Sequence, residues 1–513
     1  MALSAVAALL LALPVFVVVA AHSEGCVFRG DGTAYFMMAR SLVVDHDTDL
    51  TDEYHKLDGR LPADSPVMMA VRSSVKRVPG SDRIYLPWPV GAGLVMAPFY
   101  AAGYAAELAA AHLGGRAPDS YGAIPQLAFA AGTVAYALLG FWASFSTCRR
   151  LAGAAPAAWS AGVLVLGGPL LYYVFLHPSM SHPASFGLLA LFVLLWWRRW
   201  DGEAAGPPWA LWLLYGLLVV VRYQNVIFGL LPLALAWREA RRDARRGGAA
   251  AWAATGAGAL ACLAPLGLQL VELARTGQLG GHGAAGGQLA FGGNELSAAS
   301  PHFWEVLFSC QHGAFYWTPV IGLGFAALLW CARRASWARV FTAVFLADVY
   351  LIGCLVSGNW AGDHAFGMRY LGDSAALLAP ALAIALSHAG RGRVGRLASR
   401  AVLALLVAGN ALLASAFALR TVAHDSCVTY PQMARGIAAA LSKLAGSPLA
   451  SWLQPVPARQ APPGAAGAER GSGAAGSDNP TGAAGSGDGG PRRRLYPRRP
   501  PASPGARPGL PGE

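Results

Sequence analysis

The sequence predicts an all-α protein that crosses a membrane many times, and three observations carry that prediction. Hydrophobic residues make up 55% of the 513-residue chain and charged residues only 13%, against about 25% charged in an ordinary soluble domain. The apolar residues are gathered into runs close to the roughly 20 residues that a spanning helix needs. The basic residues, which give a net charge of +12, fall in short clusters between those runs. That is the distribution of cytoplasmic loops and argues against a nucleic-acid partner.

Taken in order, the apolar runs cover residues 3–21, 90–112, 123–146, 155–176, 208–237, 249–272, 314–331, 338–356, 374–389 and 401–420. The first lacks a basic n-region and has a long apolar core, so it reads as a retained helix rather than a cleaved signal peptide. The basic clusters are CRR at 148–150, WRRW at 197–200, REARRDARR at 238–246, ARRASWAR at 332–339 and RGRVGRLASR at 391–400. If all five lie on one side, an even number of crossings separates each neighbouring pair. Between the first two, runs 155–176 and 184–197 satisfy this and leave HPSMSH outside. Between the next two, run 208–237 must be a hairpin turning at RYQN, residues 222–225. Its short arms place the turn in a protein-lined cavity below the membrane surface, where a polar turn is tolerated. Residues 274–313 and 357–373 then also lie outside.

The amino-terminal third does not close by this count. Three full crossings at 3–21, 90–112 and 123–146 would put the loop 22–89 on the same side as CRR. Either one early run, interrupted by Pro98 or by its glycines, is not a crossing, or CRR is not inside. The chemistry of the loop places it on the side of Arg369. Beyond residue 420 the character changes: 421–455 is expected to hold an interfacial helix. The Pro, Gly, Ala and Arg-rich tail 456–513 cannot bury enough surface to offset its ordering entropy. Of the seven cysteines, none has metal-ligand spacing. Cys26 and Cys427 flank apolar runs on the non-cytoplasmic side, where they either pair or stay as two thiols; the second reading is preferred.

The loop after the first run, RGDGTAYFMMARSLVVDHDTDLTDEYHKLDGR, holds seven Asp and Glu residues. Asp31, between two glycines and ahead of a helically patterned stretch, is expected at a helix N-terminus, where amide dipoles favour its ionised form. There it is either a general base towards a hydroxyl or simply an N-cap. The run DHDTDLTDEYH, with Asp52, Glu53 and His55, matches no metal-binding pattern and reads as a hydrated loop, so no metal site is assigned. Arg222 and Arg369 fall on the non-cytoplasmic side against the charge rule. A charge at such depth is a functional hypothesis by default, and the guanidinium fork fits phosphate oxygens. His177, His182, His312, Asp363 and His364 interrupt apolar arms, and with Asp52, Glu53 and His55 of the first loop they are candidate cavity-lining groups. These residues describe an outward-facing polar cavity with a carboxylate and two arginines. It suits an enzyme acting on a lipid phosphate, and it also suits a transporter of an anionic solute. No GxxxxGK loop is present to suggest ATP.

Six fragments, in this order, resemble the GT-C membrane glycosyltransferases, specifically bacterial relatives of the protein O-mannosyltransferases and the lipid A aminoarabinose transferase. They are GDGTAYFMMARSL, YLPWPVGAGLVMAPFYAAGY, HPSMSHPASFGLLALF, VVRYQNVIFGLLPL, QHGAFYWTPVIGLGFAALL and NWAGDHAFGMRYLGDSAALLAP. The resemblance spans residues 1–420 as a catalytic domain, with 22–89 as its helical first extracytoplasmic loop. It implies a bundle of roughly 11–13 transmembrane helices in a bacterial inner membrane. It further implies transfer of a sugar from a polyprenyl-phosphate donor to a lipid, glycan or protein acceptor on the periplasmic face, with no cofactor. Asp31 matches the family's acidic residue, and Arg222 and Arg369 match positions suited to the donor phosphate. Family members often follow this Asp with Glu, where Gly32 stands here, and often carry an acid where His182 precedes Pro183. If a second acid is needed, the stretch Asp45 to Glu53 would have to supply it. The alternatives are a transporter or flippase for a lipid-linked solute, and a polymerase or ligase of lipid-linked glycans.

Overall fold

The computed structural model describes residues 26–445, apart from 63, 79, 204–207, 243–248, 277–288, 292–293, 300, 356–358 and 363. The expected first helix at 3–21, the tail 456–513 and Asp363 lie outside the described residues. What is described is almost wholly helical. The loop region holds α1 (Asp31–Arg40), a π-turn (Ser41–Asp45), α2 (Thr51–Asp58), α3 (Pro66–Ser74) and a two-residue antiparallel pair, β1 (Lys76–Arg77) with β2 (Ile84–Tyr85). Then come α4 (Gly91–Leu113), α5 (Ala123–Ala152), α6 (Ala154–Leu166), α7 (His182–Trp200) and α8 (Pro208–Val221). A 3-10 helix (Tyr223–Gly229) leads into α9 (Leu230–Arg242), followed by α10 (Ala249–Leu260) and α11 (Leu263–Arg275). A strand pair, β3 (Leu289–Phe291) with β4 (Asn294–Leu296), precedes short α12 (Phe303–Phe308) and α13 (Ala314–Trp317). Last are α14 (Pro319–Ala332), α15 (Ser336–Gly353), α16 (Ala375–Ala389), α17 (Arg393–Ala418) and α18 (Tyr430–Ala445).

Among the described residues, five helical segments are long and apolar enough to cross a membrane: α4, α5, residues 255–275, α15 and α17; shorter apolar helices include α6, α14 and α16. Leu397 and Leu405 on α17 are 58% and 72% exposed, and Leu230, Leu233 and Trp237 on α9 are exposed too. Apolar surface on this scale marks a face turned to lipid rather than water. The chain is a multi-pass membrane bundle.

From α5 onward the legs alternate between two ends, and all five basic clusters collect at one of them. Arg150 pairs with Glu203, Arg199 with Glu239, and Arg238 donates to the Trp200 carbonyl. Trp197 packs on Trp337 at 4.9 Å, and Trp330 on His388 at 5.2 Å. Such convergence is what the positive-inside rule requires. Within the bundle, small residues let backbones approach, the usual basis of helix association where lipid removes the hydrophobic drive. A Cβ on Gly187 of α7 would meet the Tyr136 carbonyl of α5 at 2.5 Å, and one on Gly140 would meet the Phe186 ring at 2.3 Å.

The expected hairpin at 222–225 is present. Asn225 donates to the Leu218 carbonyl and to Ser185 near the start of α7. The returning arm then follows α7 downward, with Trp196 donating to the Leu231 carbonyl and Arg238 reaching Trp200. The return arm begins as a 3-10 helix, a tighter form that gains length per residue.

The conflict in the amino-terminal third is resolved by α4, which is not a crossing. Its Val95 carbonyl accepts from Tyr136, whereas Gly103 packs on Pro125 and Ala128 at the start of α5. The start of α7 lies level with Thr133, which donates to the Pro178 carbonyl. Rising along α4 therefore leads past the end of α7, away from the basic end. The helix passes through Pro98 unbroken. With α4 excluded, only α5 separates the loop from CRR, so the two fall on opposite ends.

The preferred reading of the cysteines is corrected. Cys427 is bridged to Cys310, across 117 residues, joining the turn before α13 to the segment after α17; Cys26 is buried elsewhere. Sequence spacing holds no trace of this pairing because it is made by the packing of α17 against the α13 turn. Non-reducing peptide mapping is expected to recover the Cys310–Cys427 linked peptide. Cys427→Ser is expected to lower stability by about 2–5 kcal/mol, read as a drop in the thermal unfolding temperature.

Candidate functional site

The site is a cavity of about 420 Å³ at the end of the bundle opposite the basic clusters, walled by the loop region, the HPSMSH turn, the 222 hairpin, the Arg369 segment and the end of α15. Asp31, His182, Arg222 and Arg369 all line it, with Tyr35 and Tyr370.

Asp31 is the first residue of α1, as its sequence setting predicts, and Gly30 enters the helix at φ 52°. An L side chain rarely adopts that conformation, so the glycine before Asp31 is what turns the carboxylate into the cavity. The chain just upstream is stitched to the HPSMSH turn. Arg29 donates to the Leu176 carbonyl at 2.7 Å, and its own carbonyl accepts from His177 Nε2 at 3.1 Å. Gly32 is required by the same contact, because a Cβ there would lie 2.1 Å from Ser179 Oγ. A glutamate has no room at this position.

Arg369 Nη1 lies 3.5 Å from Asp31 Oδ2, a loose ion pair across the cavity. Arg222 is held differently. Its Nη1 donates to both oxygens of Asp373, at 2.8 and 2.9 Å, and Asp373 also accepts from Ser185. Both guanidinium groups lie over the Tyr370 ring, at 5.6 and 5.2 Å. Among the described residues, Arg222 Nη2, Arg369 Nε and His182 Nδ1 are buried without a hydrogen-bond partner. Buried polar atoms are normally satisfied, so these three are unused hydrogen-bonding capacity, cationic in two cases, on residues that line one cavity.

Of the other expected lining groups, those that are described do not line the cavity. Asp52 is exposed beside Lys56, and His55 is exposed against Tyr54. His177 is the structural clasp on Arg29, and burial with the neighbouring guanidinium pushes its pKa down to about 3, keeping it neutral. His312 is buried with Nδ1 on the Ala361 carbonyl, and His364 packs near His424. Glu53 is turned inward: it accepts from Arg40, which also bonds Asp45 and Ser120. The remaining loop acids are likewise engaged, Asp49 by Arg83 and Asp58 by Arg72. Asp45 through Glu53 therefore supply no second acid to the cavity. Among the described residues no group of three His, Cys, Asp or Glu is placed to hold a metal.

No protein-family model matches the chain, and no curated protein matches it significantly in sequence. Two solved structures resemble it in shape. One is ArnT from Cupriavidus metallidurans in the apo state, at 14% identity and TM-score 0.44 over 88% of this chain and 76% of that one. The other is ArnT from the same organism bound to undecaprenyl phosphate, at 14% identity and TM-score 0.41 over 87% and 76%.

Sequence reasoning missed the carboxylates behind the arginines. Asp373 sits four positions after Arg369 and ahead of an apolar run. Asp348 lies within run 338–356, is buried, and accepts from Ser374 at 2.9 Å. A charge inside a span is the signal that would have found Asp348.

Two outcomes follow from this geometry. Asp373→Ala strands the Arg222 guanidinium in a buried position and is expected to cost about 3–5 kcal/mol. Pairing it with Arg222→Met should cost less than the sum of the single changes, measured as a double-mutant cycle by thermal unfolding. The second concerns Glu53, whose pKa is raised to about 8 by burial and by the adjacent Asp45. A carboxyl with a raised folded-state pKa contributes stability that is full below its unfolded value and lost as pH rises through the folded one. Unfolding temperature should therefore fall from about pH 5 to about pH 8. Glu53→Gln, which mimics the protonated form, should flatten that slope.

Proposed function

We propose that the cavity transfers a sugar from a polyprenyl-phosphate donor to an acceptor hydroxyl on the extracytoplasmic face of a bacterial inner membrane, as a glycosyltransferase of the GT-C kind. The observation that carries this reading is the convergence of one carboxylate and two arginines with unused N–H groups in a single cavity away from the basic end. The Cys310–Cys427 bridge supports the orientation, since it lies at the cavity end of α17 and disulfides persist in oxidising compartments.

The acceptor hydroxyl attacks the anomeric carbon and gives its proton to the Asp31 carboxylate. The bond from that carbon to the phosphate oxygen breaks, and polyprenyl phosphate leaves with inversion. The positive charges of Arg222 and Arg369, both lining the cavity, offset the negative charge that grows on the leaving group. Electrostatic stabilisation of that kind is usually the largest contribution to rate. The looseness of the Arg369–Asp31 pair, 3.5 Å, gives the donor a second role. A phosphate binding Arg369 competes with Asp31 and frees the carboxylate for the acceptor. His182 Nδ1 remains to orient one of the two substrates.

The test is transfer from a panel of radiolabelled polyprenyl-phosphate sugars by the detergent-purified protein. Asp31→Asn is expected to lower kcat by about 10²–10⁴ with donor affinity retained. Arg369→Ala is expected to lower kcat by about 10²–10³ and weaken donor binding as well. Translocation of lipid phosphate that survives Asp31→Asn, with no glycosidic bond changed, would replace this reading with a transporter. A long polymeric product would replace it with a polymerase.

A further inference from the structure

A second cavity, of about 240 Å³, lies at the basic end, between the start of α6, the end of α16 and the start of α17. Its walls are Pro156, Trp159, Leu386 and Leu403, and its rim carries Arg396 and Arg400. Among the described residues, no carboxylate lines it. Arg396 is fixed at the rim by donating Nη1 to the Gly390 carbonyl at 3.0 Å, where the turn between α16 and α17 closes. Arg400 makes no ion pair or side-chain hydrogen bond among the described residues. This distinguishes it from Arg150 nearby, which Glu203 neutralises. Ser399 directs its hydroxyl proton to the Gly395 carbonyl, so the polar character of the rim is cationic.

We infer that this cavity is a binding site for the phosphate headgroup of an anionic glycerophospholipid of the cytoplasmic leaflet, clamped by Arg396 and Arg400. Three features select that occupant. The charge at the rim is of one sign and incompletely paired, and guanidinium groups bind phosphate oxygens with directed, charge-assisted bonds. The volume is below the roughly 300 Å³ usual for a small-molecule pocket. It accepts a phosphodiester and the first atoms of its glycerol, not a nucleotide. The apolar wall continues from Leu403 along the same face of α17 to the half-buried Leu406 and Val407, where an acyl chain continues without a break in polarity. Basic pockets between helices at the cytoplasmic surface hold anionic headgroups in this way. Occupancy braces the turn between α16 and α17, and it stands independently of the chemistry at the opposite end.

The experiment is native mass spectrometry of the full chain in neutral detergent, titrated with dioleoyl phosphatidylglycerol. Arg396→Ala with Arg400→Ala is expected to weaken the tightest lipid adduct by about tenfold or more. Arg391→Ala with Arg393→Ala, exposed on the same turn but outside the cavity, should change it by less than about twofold. Arg400→Gln alone, which keeps size and removes charge, should fall between. Equal weakening by the two double variants would overturn the site in favour of a diffuse basic surface. Displacement of the lipid by millimolar inorganic phosphate would overturn the lipid in favour of a free-phosphate site. Unchanged affinity in Arg396→Ala/Arg400→Ala would overturn both.

Discussion

The ion pair between Arg222 and Asp373 is the constraint around which the cavity end is arranged. It joins the hairpin tip to the segment before α16 and, through Ser185, to the first turn of α7. A guanidinium at that depth has no water to fall back on, and polar backbone there is admissible only in protein. The carboxylate meets both demands by engaging one nitrogen of the fork and leaving the other buried without a hydrogen-bond partner. Because Asp373 follows Arg369 so closely, fixing it also fixes the second arginine, and Tyr370 between them becomes a shared floor for both cations. The distance from Arg369 to Asp31 is in this sense set from behind, by a carboxylate that touches neither.

The abundance of acid in the first loop has a related explanation. Its helices are short, and although α1 is almost wholly buried, α2 is mostly polar, so burial alone gives α2 little hold on the bundle. Polar contacts add to the hold, with Arg40 ion-paired to Asp45 and hydrogen-bonded to Glu53 and Ser120, and Thr48 donating to Glu272 on α11. Exposed pairs such as Arg72–Asp58 contribute little individually, but the buried Arg40 cluster is costly to break. Six acids thus serve the scaffold and only Asp31 reaches the cavity. Its neighbour is glycine for a steric reason, the closeness of Ser179, and not because a catalytic acid was lost.

What was legible in the sequence was what charge and polarity had to betray. Five arginine clusters declared one end of the bundle, and RYQN inside an apolar run declared the hairpin. GDG before a helical pattern placed Asp31, and arginines on the wrong side of the charge rule located the cavity. What failed were inferences from composition. The Ala-rich α4 is apolar enough to cross and does not, because its direction is decided by packing on α1 and α5. His177 and His312 read as cavity-lining candidates in the sequence, but each is engaged by a backbone carbonyl that only the fold brings near. Asp373 stands close to Arg369 in the sequence and Asp348 stands alone in an apolar run, and neither position by itself shows that the fold sets them beside Arg222 and Ser374. Cys310 gave no sign of its partner at all.

That bridge bears on how the chain is made. Cys310 precedes α14, and Cys427 follows α17, so α14 through α17 all lie between the two sulfurs. A polypeptide threaded into the bilayer from its amino terminus presents the second thiol only after every one of those legs has been inserted in the right orientation. Oxidation therefore acts as a seal on completed biogenesis: a copy with an inverted leg keeps its sulfurs on opposite faces and cannot be closed.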